Sequence, residues 1–248
     1  MPTVEESVWK SGDFCRTYRT NVRISTNDIH YGYLSPGERD LLLLGGPLGL
    51  NGKRVVEIAC GAAQNSITIA KWGGNSVGID ISEDMIQAAK TLSANEGVSI
   101  ELFCGNANEL TAILGDRRFD VALSSYGVGF ICHDYFSLSS FLGRVNIILI
   151  PGGTFIFCLT HPSQFFPTPK DVTKEWSEAQ LSIEEVTNAL SVNGFAITKI
   201  VEQTTTNPSR MPIEEKAKYP YEPLILSPDF DKFTLTPHTI IYVAKKTR

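Results

Sequence analysis

Between Lys53 and Ala244, short β-branched runs alternate with segments of helical periodicity, a pattern that few folds can accommodate. Strands linked by helices form a parallel sheet covered on both faces. The strands read as Lys53–Ala59, Ser76–Asp80, Val98–Cys104, Phe119–Ser124, Thr154–Leu159, Phe195–Glu202 and His238–Lys245. Helical spacing follows the first strand as far as Trp72, where Gly73-Gly74 stops it. Ser82 caps a helix to Ala94, Ala107 opens one to Leu114, Asp134 one to near Leu149, and Ser182 one that ends at Asn193-Gly194. The expectation is a single domain. Residues 51–160 form its core and residues 1–50, with a helix from Pro36 to Leu44, an N-terminal lid. Residues 161–248 carry insertions and the last strands.

Composition narrows the function classes. The chain has 248 residues, 42% of them hydrophobic, enough for one sizeable core. Its net charge of −5 offers no field for a polyphosphate backbone, so nucleic acid is not the expected partner. Apolar runs such as Val145–Ile150 fall far short of the roughly 20 residues that span a bilayer. The first residues, Met-Pro-Thr-Val-Glu-Glu, are acidic where a signal peptide is basic. A soluble, cytoplasmic chain without membrane contact is expected. Five cysteines without a C-x2-C pair read as reduced thiols, with no metal site.

The chemistry concentrates in Val55-Val-Glu-Ile-Ala-Cys-Gly-Ala-Ala63, a strand that runs through a small-residue loop into a helix. Such a loop lets a ligand approach the backbone, with helix N–H groups pointing at it. Only Gly61 is glycine there, so neither the dinucleotide G-x-G-x-x-G nor a Walker loop is present. Ala59 and Ala63 are tolerable in this loop if neither needs a positive φ. Asp80, at the end of the second strand and 19 residues beyond Gly61, can accept hydrogen bonds from both hydroxyls of a ribose.

With these residues the sequence resembles the class I S-adenosylmethionine-dependent methyltransferases, in particular the small-molecule branch with a ubiquinone-biosynthesis-like core. Glu57-Ile-Ala-Cys-Gly-Ala-Ala is similar to the family's acidic glycine loop, and Val77-Gly-Ile-Asp-Ile-Ser to its ribose segment. Cys104-Gly-Asn-Ala, Phe119-Asp-Val-Ala-Leu-Ser and Arg144 through Pro151-Gly-Gly match later elements in order. The resemblance implies a Rossmann-like α/β fold with a seven-stranded, mostly parallel sheet and an antiparallel final strand. It also implies S-adenosylmethionine as cofactor and S-adenosylhomocysteine as product. Glu57 would orient the methionine amino group, Ala59, Cys60 and Gly61 would cradle the methionyl part, and Asp80 would hold the ribose. Ile81 and Met85 would pack on adenine, Asn106 and Ala107 would bond its edge, and Ser124 would line the sulfonium region.

The acceptor is expected to be a small, partly apolar and specialised metabolite, methylated on oxygen or nitrogen. His161, after the fifth strand, and His30, in Asp28-Ile-His-Tyr-Gly32, are the candidate bases. Tyr31 can close over the sulfonium with its ring, and His30 and Tyr31 can equally pin the lid to the core. Tyr126, His133, Phe165 and Trp176 are candidate substrate contacts, and Phe130 and Tyr221 are further aromatics able to wall an apolar pocket. The Ser124-Ser-Tyr-Gly127 loop lacks the Asn/Asp-Pro-Pro-aromatic sequence of nucleic-acid enzymes. A non-catalytic nucleoside-binding partner subunit is the alternative. The oligomeric state stays open, a homodimer included.

Overall fold

The computed structural model describes residues 22–32, 35–165, 181–204, 213–216, 218–223 and 237–247. In chain order the elements are strand β1 (Val22–Ile24), helices α1 (Glu38–Leu41) and α2 (Gly46–Leu50), β2 (Arg54–Ile58), α3 (Gln64–Lys71), β3 (Asn75–Asp80), α4 (Glu83–Asn95) and β4 (Glu101–Cys104). A 3-10 turn (Ala107–Glu109) leads into α5 (Leu110–Leu114), followed by β5 (Phe119–Ser125), α6 (Gly127–Ile131), α7 (Tyr135–Ile148) and β6 (Leu149–Thr160). After a turn at Pro162–Phe165 come α8 (Ile183–Val192), β7 (Phe195–Thr204), α9 (Ile213–Lys216), β8 (Tyr221–Pro223) and β9 (Pro237–Lys246).

The main sheet has seven strands in the order β4-β3-β2-β5-β6-β9-β7. β2 pairs in parallel with β3 and β5, β3 with β4 and β5 with β6, whereas β9 runs antiparallel between β6 and β7. This is the expected Rossmann-like arrangement with an antiparallel final strand. The order reverses between β2 and β5, so the loops after these strands part and leave a crevice at their carboxyl ends.

Helices cover both faces. One face buries Phe155, Phe157 and Tyr242 under Leu138, Phe141 and Val145 of α7 and Val186 and Leu190 of α8. The other buries Val55, Leu123 and Ile156 under Ile69 of α3 and Leu50, Ile29 and Tyr31. Part of the segment expected to be a lid is therefore core. Its expected helix, Pro36 to Leu44, forms only Glu38–Leu41 before Leu42 turns into the left-handed region at φ 49°, and α2 restarts the chain at Gly46. The reason is Glu38, fully buried, whose carboxylate accepts hydrogen bonds from the N–H groups of Leu43, Leu44 and Gly46 and from the Tyr31 hydroxyl. A continuing helix would have taken those N–H groups for itself.

Candidate active site

A cavity of about 690 Å³ opens at the crevice between the β2 and β5 loops. One end is built by Glu57, residues 59–62, Asp80, Ile81, Met85 and residues 105–108; the other carries Ile24, His30, Tyr126, Phe130, Ile131, His133 and Tyr221.

At the first end, Asp80 accepts the Gly61 N–H at 2.7 Å on one carboxylate oxygen and the Ser82 N–H at 2.9 Å on the other. Both bonds come from backbone, so the carboxylate is fixed beside the loop while each oxygen keeps a lone pair for a diol. Glu57, at the end of β2, accepts the Ser66 N–H at 2.9 Å and the Ser66 hydroxyl at 2.6 Å. That carboxylate ties the strand to the first turn of α3. Burial pushes the Glu57 carboxyl up to about 7, against the hydrogen bonds from Ser66, and burial also raises Asp80.

The loop between them departs from expectation. Ala59 and Ala63 both hold positive φ, 56° and 59°, so two alanines occupy a conformation that glycine adopts more readily. Ala59 stands against Gly127 of the β5 loop, where an added Cβ would lie 2.5 Å from the Ala59 Cβ. Tyr126, before Gly127, is likewise left-handed at φ 60°. Strained backbone on both sides of the crevice marks where the scaffold is bent to shape a site.

Of the expected cofactor residues, Glu57, Ala59, Cys60, Gly61, Asp80, Ile81, Met85, Asn106 and Ala107 all lie on the cavity wall. Asn106 also caps the 3-10 turn by accepting the Asn108 N–H at 2.8 Å. Two others lie off it. Ser124 is fully buried, because alternation along β5 turns Ser125 to the cavity instead. Tyr31 is fully buried on the far side of His30, with its hydroxyl on Glu38.

The candidate bases separate. His161 is off the cavity wall: its Nδ1 meets the Ser163 hydroxyl of the following turn at 2.7 Å and its Nε2 the Glu202 carboxylate of β7 at 2.8 Å, so both ring nitrogens are taken up within the fold. His30 is on the wall. Asn65 clamps its backbone, accepting the His30 N–H at 2.8 Å and donating to its carbonyl at 3.2 Å, and the Ser125 hydroxyl donates to the same carbonyl at 2.7 Å. The imidazole lies 5.0 Å from the Tyr221 ring, and its buried Nδ1 has no hydrogen-bond partner among the described residues. Burial lowers its pKa to about 3, so the ring is neutral.

Tyr126 and His133 lie on the wall, whereas Trp176 and the side chain of Phe165 are outside the described residues. Ile24, Gln64, Ser125, Ile131 and Thr160 complete the wall without a local sequence signal. Ile24 and Tyr221 face each other across the two-stranded β1–β8 sheet, which brings the N-terminal segment and a late insertion together over the cavity. Among the described residues, no group of His, Cys, Asp and Glu could hold a metal ion.

Two carboxylates, Glu57 buried and Asp80 half-buried, and no lysine or arginine line the cavity among the described residues. That balance suits a nucleoside that carries positive charge and gives no support to a diphosphate. Fold and cavity together define a Rossmann-like domain with a ligand-sized cavity at the carboxyl ends of its strands.

Comparison with known proteins agrees. A family described as a methyltransferase domain matches residues 55–153. A ubiquinone biosynthesis O-methyltransferase from Bradyrhizobium sp. is 28% identical over 161 residues, covering 55% of this chain and 61% of that protein. The demethylmenaquinone methyltransferase of Bacillus subtilis is 31% identical over 119 residues, covering 46% and 48%. The chain thus spans less than two thirds of the length of these relatives. A solved S-adenosylmethionine-dependent methyltransferase from Mesorhizobium loti shares the fold with a TM-score of 0.61 at 21% identity, over 82% of this chain and 99% of that one. Magnesium protoporphyrin IX methyltransferase from Synechocystis, solved with bound S-adenosylhomocysteine, gives 0.54 at 16% identity over 79% and 75%. Residues 55–153 are thus similar to a methyltransferase domain, and the fold is that of S-adenosylmethionine-dependent methyltransferases.

Proposed function

We propose that the chain transfers a methyl group from S-adenosylmethionine to an oxygen or nitrogen of a small, partly apolar metabolite. The observation that carries this reading is the continuity of one cavity from the Glu57 and Asp80 carboxylates to the aromatic end at Tyr126, Phe130 and Tyr221. When bound, the cofactor supplies an electrophilic methyl group on a sulfonium. Asp80 would hold the ribose hydroxyls, Glu57 the ammonium group, and Ile81, Met85 and Ala107 would enclose the adenine. Methyl transfer is an in-line displacement, so the chain contributes mainly alignment and exclusion of water. The β1–β8 sheet over the cavity serves exclusion, and the clamp of Asn65 and Ser125 on His30 serves alignment.

The reading extends to a specialised metabolite and a cytoplasmic setting. In the sequence, most aromatics outside the core fall in residues 1–50, 160–180 and 203–236, and no helix among the described residues is long and apolar enough to cross a membrane. Calorimetric titration with S-adenosylhomocysteine tests the proposal. Asp80→Ala removes a charge-assisted pair of bonds and should weaken binding by about tenfold or more. No binding to the unaltered chain would refute the assignment.

A further inference from the structure

Resting on that reading, the far end of the cavity identifies the kind of acceptor. Glu57 and Asp80, the carboxylates of the cavity wall, both stand at the cofactor end. The acceptor end presents the rings of Tyr126, Phe130 and Tyr221 with Ile24 and Ile131, and among the described residues it has no lysine, arginine, aspartate or glutamate. Among the described residues, no counter-charge there would compensate an acid or ammonium group for its lost hydration. His133, at the exposed rim, and Thr160 add polarity at the margin rather than within the buried wall.

Within that wall one polar group is poised. His30 is only 6% exposed, its backbone is held from both sides by Asn65 and Ser125, and its ring is tilted 50° to that of Tyr221. Its Nδ1 is buried with no hydrogen-bond partner among the described residues, which leaves Nε2 as the ring nitrogen a ligand can reach. His30 lines the cavity, so a ligand's donor there can bond Nε2. The two tilted rings form a wedge, and aromatic pairs in such offset geometry gain beyond the area they bury.

We propose that the acceptor is an uncharged aromatic molecule with a single hydrogen-bond donor, its ring set against Tyr221 and Phe130 and its donor directed at His30. The neutral ring of His30 fits this role, since burial disfavours the protonated form that could not accept such a bond. In the transfer, the S–CH₃ bond breaks with its electron pair to sulfur, the acceptor heteroatom forms the new bond to carbon, and the acceptor's proton is released to solvent, with His30 accepting its hydrogen bond beforehand.

Binding of matched naphthalenes to the chain saturated with S-adenosylhomocysteine, read by calorimetry, tests this without relying on turnover. Naphthol should bind, and methoxynaphthalene, which lacks the donor, should bind about tenfold more weakly. Hydroxynaphthoic acid, aminomethyl-naphthol and the saturated decalol should each lose about tenfold or more. His30→Ala and Tyr221→Leu should each weaken naphthol by about tenfold while leaving S-adenosylhomocysteine affinity intact, which shows that the variants fold. If S-adenosylhomocysteine binds but naphthol does not, or if the acid, the amine or decalol binds as tightly as naphthol, the acceptor assignment is wrong. If S-adenosylhomocysteine itself fails to bind, the methyltransferase reading falls and takes this one with it.

Discussion

The alanines at positions 59 and 63 show how one methyl group is weighed against backbone strain. A left-handed alanine costs roughly 1–2 kcal/mol, whereas glycine loses about 0.5–1 kcal/mol more chain entropy on folding. The Ala59 methyl is part-exposed at the cavity, so Ala59→Gly should stabilise the chain by up to about 1 kcal/mol in urea unfolding. Ala63 is fully buried, and losing its methyl, about 0.8 kcal/mol of burial, should leave Ala63→Gly near neutral. Gly127→Ala meets both the Ala59 Cβ at 2.5 Å and the Ser124 Oγ at 2.7 Å, so a loss of about 1–3 kcal/mol is expected. Ala59→Gly should restore part of it in the double variant, because it removes one of the two clashes.

Among the elements, α1 and α2 depend on a single side chain for their geometry. Glu38 gathers three backbone N–H groups and the Tyr31 hydroxyl in a site closed to water, so Glu38→Ala strands several donors at once. A loss of about 3 kcal/mol or more is expected in chemical denaturation. Tyr31→Phe removes only one of the four bonds and should cost about 1 kcal/mol. Elsewhere the helix starts were legible because they are local: Asp134 and Ser182 each form a capping box with the residue three positions on, and Ser82 accepts the Met85 N–H. The break after α1 was not legible, since the pattern from Pro36 to Leu44 suits a helix and the carboxylate that interrupts it acts only once buried.

Across the whole molecule, burial of acids makes stability depend on pH. Asp28, which accepts the N–H groups of Ile29 and Arg39, is raised by burial to about 6, and Glu57 to about 7. Both lie above their ordinary values of 3.8 and 4.5, so the fold favours the protonated acids. Their contribution is fully present below the ordinary values and is lost as pH rises through 6 and 7. The melting temperature of the cofactor-free chain should therefore fall over that window, and Glu57→Gln should remove part of the slope. Cofactor binding should work the other way. An ammonium group beside Glu57 favours the carboxylate, so affinity should weaken by about tenfold for each pH unit below 7, with proton release to the buffer visible in calorimetry.

The sequence by itself determined the order of strands and helices, the loop from Glu57 to Ala63 and the placement of Asp80 beside it. Each depends on residues close in the chain or on a periodicity repeated along it, and hydrophobic burial turns that periodicity into layers. Tertiary structure decided the rest of the site. His30 reaches the cavity because Asn65, 35 residues away, and Ser125, 95 away, hold its backbone. His161 leaves it because Glu202, 41 residues on, takes its Nε2. Ile24 and Tyr221 become one wall only when β1 and β8 pair. A histidine's own sequence neighbourhood carries no record of which distant carboxylate or amide it will meet, so the acceptor end of the site exists only once the chain has closed on itself.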